Sequence, residues 1–409
     1  MPPAAGWIGG VMLEGILNGA IRQGRLTVRY PDGRIAHYGK GSPEAEWHIR
    51  DRAAVRRLIR DPELALGETY MDGAWEAPRG LVPLLEILLR NIPESSATSL
   101  VARCMRLIEQ ANPTHLSRRR IGHHYDRDER LFRLFLDRDL HYSCAYFARP
   151  DDSLEAAQYA KCEHLRRKLE LAPGQRVLDI GSGWGGLALH LAGAADVEVT
   201  GLTLSREQHR VATARAREAG LGERVRFLLE DYREHRGVYD RVVSVGMFEH
   251  VGLPHYEAFF TSVRERLAPH GLALLHHIGR SGRPGRTNPW IRRYIFPGGY
   301  NPAASEVAPA IERAGLKLAD LEVLKFHYQY TLREWQKRFQ AHRLEAVRRW
   351  GESFARMWEF YLAACEAAFA TGDLVVFQWQ MARTLEGLPL TRDHWYAAHT
   401  TLDDAAESA

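Results

Sequence analysis

The sequence predicts an α/β chain: a doubly wound, mostly parallel sheet, with a smaller α+β domain before it and helical additions after it. Three observations carry this prediction. From residue 175 to about 280, short apolar runs alternate with helical stretches, the pattern of parallel strands joined by crossover helices. At the head of that region Arg176 to Gly186 reads RVLDIGSGWGG, an aliphatic strand that breaks into glycines before a helix. The chain, at 409 residues, is also long for one hydrophobic core.

The elements follow in order. Residues 7–22 carry Trp7, Ile8, Val11, Met12, Leu13, Ile16, Leu17 and Ile21 at roughly helical spacing. Residues 25–50 alternate weakly around the turn signal PDGR and predict a hairpin. Residues 52–61 and 81–91 read as helices, with GETYMDGAWE at 67–76 between them. Together these make a domain over 1–96. Residues 97–122 form a basic helical linker that contains SRRR at 117–120. The sheet domain takes 123–409 and opens with a helix and an irregular lid over 123–147. Its strands fall at 175–180, 197–202, 224–230, 240–246 and 271–277, its helices at 185–194, 206–220 and 254–268. After 330 the chain turns helical and rich in Arg and aromatics, and the tail LDDAAESA frays.

Composition narrows the class. Hydrophobic content of 45% and charged content of 26% are those of a soluble globular protein. Net charge is only +4, which gives no nucleic-acid footprint. Arg outnumbers Lys, which suits phosphate contact but also reflects a GC-rich genome. The N-terminus, MPPAAGWIGGVMLEG, lacks a basic n-region and has Glu14 in its apolar run, so no signal peptide is expected. No uncharged apolar stretch reaches the roughly 18 residues of a membrane span. The four cysteines, Cys104, Cys144, Cys162 and Cys365, show no metal-ligand spacing. No metal site is expected, and free thiols point to a reducing cytoplasm.

The glycine-rich turn is where ligand chemistry concentrates. Gly181, Gly183, Gly185 and Gly186 let the backbone turn sharply and leave bare peptide N–H groups at a helix N-terminus. Asp179 lies at the strand's carboxyl end, where open α/β sheets hold ligands. Gly181, Gly183 and Gly186 satisfy the dinucleotide pattern G-x-G-x-x-G. That reading wants an acid after the second strand, and VEVTGLTL at 197–204 runs into Thr203-Leu204-Ser205 instead. The pattern D-x-G-x-G-x-G resembles the S-adenosylmethionine loop of class I methyltransferases. A tight turn without a ligand is the plainer alternative.

Several ordered motifs then point one way: YSCAYF, VLDIGSGWGG, GLTLSREQ, EDYR, VVSVGMFEHVG, LLHHIG and PWIRRYIFPGG, with GETYMDGAWE upstream. From about residue 25 to 390 the chain closely resembles the cyclopropane-fatty-acyl-phospholipid synthase family, relatives of the mycolic acid cyclopropane synthases. The resemblance implies a class I methyltransferase sheet, an N-terminal domain that helps engage lipid, S-adenosylmethionine as cofactor, and often a homodimer. It implies cofactor contacts at Asp179, Gly181 and Gly183, at Thr203, Leu204 and Gln208, and at Asp231, Tyr232 and Arg233. Tyr125, with Tyr142 and Ser143, matches the lid over the methionine moiety, where aromatic faces attract a sulfonium. The segment HHYDRDERLF departs from the family pattern at Arg127 and Glu129.

The implied reaction adds a methylene group to a cis alkene in an unsaturated phospholipid acyl chain. The alkene attacks the cofactor's methyl, and the resulting cation closes a ring only if that methyl then loses a proton. Such a site excludes water and places a base beside the methyl. In the family the base is a bound bicarbonate, and the matching positions here are Cys144, Glu249, His276, Tyr328 and the main chain of Ile278. Cys144 as a small buried apolar residue is the plainer reading from spacing alone. Strand alternation puts only one of His276 and His277 into the site. Substrate chains in a bilayer imply peripheral docking on the inner face of the membrane. The apolar helices near 7–22 and 81–90 and the Arg-rich stretches near 117–120 and 342–349 are candidates for that contact. Two other outcomes remain open: methylation of the same alkene to a methylene- or methyl-branched chain, and a non-catalytic lipid-binding protein.

Overall fold

The structure is a computed structural model that describes residues 7–91 and 129–396. The expected linker 97–122, Tyr125 and the tail LDDAAESA lie outside the described residues. The N-terminal unit runs α1 (Ile8–Ala20), β1 (Gln23–Arg29), β2 (Ile35–Ile49), α2 (Arg52–Arg60), α3 (Pro62–Met71), β3 (Trp75–Glu76) and α4 (Leu81–Asn91). Its strands form an antiparallel sheet in the order β1-β2-β3. Local chemistry sets the boundaries. Asp51 caps α2 by accepting from Ala53 N, and Asp61 caps α3 ahead of Pro62. Asn91, at the end of α4, accepts from Arg22 N at 2.7 Å and Gln23 N at 2.8 Å, which ties α4 to the start of β1.

The second unit begins with α5 (Glu129–Arg133) and α6 (Leu154–Lys168). The alternating segment follows: β4 (Arg176–Ile180), α7 (Gly186–Ala194), β5 (Glu198–Thr203), α8 (Arg206–Glu218), β6 (Val225–Leu229), β7 (Tyr239–Val245), α9 (Tyr256–Arg266) and β8 (Leu267–Arg280). Then come α10 (Pro289–Tyr294), α11 (Ala304–Arg313), β9 (Lys317–Leu324), α12 (His327–Ala341), α13 (Arg343–Trp350), α14 (Glu352–Ala370), β10 (Leu374–Ala382) and α15 (Asp393–Tyr396). The sheet has seven strands in the order β6-β5-β4-β7-β8-β10-β9. The first five are mutually parallel, and β10 is antiparallel to both β8 and β9. Strand order reverses at β4, which places a crevice beyond its carboxyl end.

The expected strands and helices between 175 and 280 are present with small boundary shifts. The helical reading after 330 is incomplete. β10 fills the gap between β8 and β9, and β9 itself was not anticipated. β10 reads LVVFQWQMA and is buried on both faces. The alternation Phe377-Gln378-Trp379-Gln380-Met381 is a strand signal, obscured by the long helical stretch just before it.

The two units share one core. Leu13, Val28, Trp75 and Leu84 belong to the same apolar cluster as Phe132, Trp335, Trp358 and Phe369. α14 packs against α3 and α4. Gly67 of α3 lies flush on Trp290, so that a Cβ there would sit 2.4 Å from the indole Nε1. Tyr294 Oη donates to Glu68 at 2.9 Å and Tyr70 Oη to Glu359 at 3.3 Å across the same junction.

Candidate active site

The crevice beyond β4 is built by backbone first. Gly181 has φ of +85°, and a Cβ on it would meet Met247 at 2.7 Å. Only glycine combines that left-handed turn with that approach. Ser205 caps α8 by accepting from Gln208 N, and Thr203 Oγ1 donates to Gln208 Oε1 at 2.9 Å. This fixes the loop after β5. After β6, the Asp231 carboxylate holds Arg233 through its main-chain N–H at 3.0 Å and through Nε at 2.9 Å. Tyr232 packs edge-on against Phe259 with ring centroids 5.4 Å apart.

These loops line a cleft that opens to solvent at its mouth. Among the residues expected to touch the cofactor, every described one lines it: Tyr142, Ser143, Asp179, Gly181, Gly183, Thr203, Leu204, Gln208, Asp231, Tyr232 and Arg233. Tyr142 stacks on Trp335 and shares a hydrogen bond with Tyr361, hydroxyl to hydroxyl, at 2.8 Å. Asp179 is buried, with Oδ2 lacking a hydrogen-bond partner. Burial lifts its carboxyl to about 7, against the pull of Lys161. A buried carboxyl with an orphaned oxygen beside a bare glycine loop fits a ligand that brings N–H donors or positive charge.

Sequence reasoning missed several cleft residues: His141, Lys161, Trp184, Met247 and His250. Lys161 is buried on α6 and donates to Ser143 Oγ at 3.2 Å. The signal for α6 was present, because Ser153 caps it by accepting from Ala156 N. Burial pushes His250 down to about 4, so its imidazole stays neutral.

The second expected group lies outside the lining of the cleft. Glu249 follows β7 on a short 3₁₀ turn, Phe248–His250. Its Oε1 accepts from Ile278 N at 2.7 Å, while Oε2 is buried without a partner. Burial raises the Glu249 carboxyl to about 7, opposed by the Ile278 N–H bond. Tyr328 sits on α12, its hydroxyl pushed well up by burial and by nearby Tyr142, Cys144 and Glu249. Cys144 is buried and donates to Ala145 O, and burial pushes its thiol far up. A thiol raised in this way stays protonated at neutral pH.

His276 and His277 part company at β8. His277 turns to the α9 side, where Trp379 Nε1 donates to its Nε2 at 2.9 Å and its Nδ1 donates to Ile278 O at 2.7 Å. His276 turns to the α6 side and receives the Gln378 amide on Nδ1 at 3.1 Å. Burial, then the Lys161 charge, push it far down. Glu249 and Ile278 are therefore in direct contact, and Tyr328 lies in the field of both Glu249 and Cys144. His276 approaches from the Lys161 side and touches none of the other four by a hydrogen bond.

The family model for mycolic acid cyclopropane synthetase matches residues 113–379, and a domain of unknown function matches 13–94. The cyclopropane-fatty-acyl-phospholipid synthase of Escherichia coli (strain K12) is 38% identical over 357 residues, 86% of this chain and 92% of that one. A tuberculostearic acid methyltransferase of Mycobacterium tuberculosis (strain ATCC 25618 / H37Rv) is 36% identical over 392 residues, 89% of this chain and 88% of that one. Among solved structures, the mycolic acid cyclopropane synthase CmaA1 complexed with SAH and CTAB superposes with a TM-score of 0.62 at 33% identity. It covers 66% of this chain and 99% of that one.

Proposed function

This chain belongs to the mycolic acid cyclopropane synthetase family, and on that premise we propose that it transfers a methylene group from S-adenosylmethionine to the cis double bond of unsaturated phospholipid acyl chains, giving cyclopropane fatty acids. When bound, S-adenosylmethionine supplies an electrophilic methyl on a sulfonium sulfur. Asp179, the glycine loop, Gln208 and the Asp231 to Arg233 segment, which line the cleft, would hold it there. Tyr142 offers an aromatic face to positive charge.

The observation that carries the reading is Glu249, a buried carboxyl with one oxygen on the Ile278 N–H and the other without a partner, in the field of Tyr328, which also feels Cys144. A carboxyl poised near 7 both takes and gives a proton at working pH. Glu249, Tyr328, Cys144 and a neutral His276 would hold a small anion such as bicarbonate and orient it. The surrounding apolar and aromatic wall, Phe248, Phe369, Tyr361 and Trp335, keeps water out.

Peripheral docking on the inner face of the membrane and homodimerisation belong to the same proposal. No helix among the described residues is long and apolar enough to cross a membrane. α1 leaves Ile8 and Met12 more than half exposed, at 82% and 54%. An amphipathic helix of that kind suits contact with a lipid surface.

The test is the fatty-acid profile of a host lacking its own synthase. Expression is expected to add one CH₂ to monounsaturated chains, with upfield ring protons by NMR. Unchanged chains would overturn the reading. The likeness to a tuberculostearic acid methyltransferase favours one second reading, a methylene- or methyl-branched product. Exocyclic vinylidene signals in the same spectra would select it. A non-catalytic lipid binder would fail to take up the cofactor in calorimetry.

A further inference from the structure

Behind the wall of the cleft is a constellation that the methylene-transfer chemistry does not use. The turn Asp137 to His141 winds around the Asp137 carboxylate, which accepts from Asp139 N at 3.1 Å and from His141 N at 2.8 Å. Leu140 holds the turn closed with φ of +59°, a left-handed conformation rare for leucine. The same carboxylate meets His141 Nδ1 at 2.9 Å. On the far side of the ring, Nε2 lies 3.3 Å from Cys162 Sγ on α6. Asp137, His141 and Cys162 are all buried.

The order acid–imidazole–thiol assigns roles. With Nδ1–H donated to Asp137, the Nε2 lone pair faces the sulfur and can take its proton. Burial alone would raise the Cys162 thiol, but the His141 and Lys161 charges outweigh it and bring it below an ordinary thiol. Other charges that face the pair are His190 on α7, Asp179 on β4 and Arg215 on α8, which Asp139 holds at 2.8 Å. Cys144 and Cys365 are raised by burial instead. One cysteine of the described three is therefore set apart by its partners.

We propose that Cys162, backed by His141 and Asp137, is a modification site for small soft electrophiles, hydroperoxides among them, and that its modification closes the cofactor cleft. His141 lines the cleft, so the thiol lies one side chain behind the opening. With an iodoacetamide, the S–H proton passes to Nε2, the S–C bond forms and iodide leaves. With a hydroperoxide, the S–O bond forms as the O–O bond breaks. Sulfur is oxidised by two electrons to the sulfenic acid, and the leaving oxygen takes the proton from His141 as water or alcohol. There is no slack for the added group. A Cβ on Gly186 would already meet His141 Nε2 at 2.7 Å, and Arg215 clamps Asp139 O and Trp184 O at 2.9 and 2.8 Å. A displaced ring moves Leu140 to Ser143, one wall of the cleft.

The experiment is iodoacetamide labelling of the full-length protein between pH 6 and 9, read per cysteine by peptide mass spectrometry. S-adenosylhomocysteine binding is measured by calorimetry before and after. At pH 7, Cys162 is expected to label at least about 10-fold faster than Cys144, which is equally buried but lacks the imidazole. His141→Gln is expected to slow it about 10-fold and move its pH profile toward that of an ordinary thiol, near about 8.5. Asp137→Asn serves as the second variant should the first misfold. Labelled wild type should lose S-adenosylhomocysteine binding, while Cys162→Ser keeps it in the presence of reagent. Cys162 labelling no faster than Cys144, or equally fast without the imidazole, would overturn the site. Full binding after complete labelling would overturn the closure. Neither readout depends on lipid turnover.

Discussion

The cleft takes its walls from short stretches that are each contiguous in the chain, whereas the Glu249 cluster gathers single side chains from the 3₁₀ turn, β8, α12 and the segment before α6. The cleft opens to solvent at its mouth and keeps polar groups such as Asp179, Thr203, Gln208 and Asp231 sunk in its walls. The cluster is buried, and one bond within it joins Ile278 N–H to Glu249, while His276 pairs with Gln378 and Cys144 with Ala145 O. A cofactor that arrives from water needs a preformed open cradle. A proton acceptor that works beside an alkene needs dryness, at the cost of burying a carboxyl.

Four substitutions sharpen this contrast. Gly181→Val sets a β-branched side chain at positive φ and drives it into Met247, so cofactor affinity is expected to fall by about 1000-fold or more, read by calorimetry. If affinity survives, the cleft is less rigid than its backbone implies. Glu249→Gln separates the two regions most cleanly. Turnover should drop roughly 100- to 1000-fold while cofactor affinity stays within about twofold.

Its stability carries a sign. The folded carboxyl is raised to about 7, so its own contribution to wild-type stability is greatest at low pH and falls as pH rises from the unfolded value near 4.5 through 7. The glutamine variant lacks that fall and should be more stable at pH 8 by up to about 3 kcal/mol, measured by urea melts at pH 5 and 8. Tyr328→Phe should reduce kcat about 10-fold with little change in cofactor binding. The smallest effect is expected for Tyr361→Phe, which leaves the Tyr142 hydroxyl without its partner and should cost about 1 kcal/mol in thermal melts. A larger loss of cofactor affinity there would mean that the two regions are coupled through Tyr142.

Legibility in the sequence follows the same divide. The glycine loop, Thr203 to Gln208 and Asp231 to Arg233 are local motifs whose chemistry is set by neighbours in the chain, so residue type and spacing were enough to place them at the cleft. Lys161 and His141 were not legible, because a lysine on a helix reads as solvent-facing until tertiary packing buries it against Ser143. The choice between His276 and His277 needed the third dimension. Alternation says that they part, and only Trp379 and Gln378 on β10 say which way each goes. β10 is buried on both faces although one of them carries Gln378 and Gln380, and its place between β8 and β9 depends on long-range pairing that no local pattern shows. The shared core was hidden as well, since no pattern in residues 7–91 announces that α3 and α4 rest on a helix near residue 360.

β10 also sets a schedule. Although it lies between β8 and β9, it is the last strand to leave the ribosome, and α14, the seat of the N-terminal unit, emerges just before it. While residues 352–382 are still in the exit tunnel, the nascent chain carries an unzipped gap in its sheet and an N-terminal unit with its greasy underside uncovered. Such long-range pairing folds slowly, and the sheet can close only after translation passes Ala382.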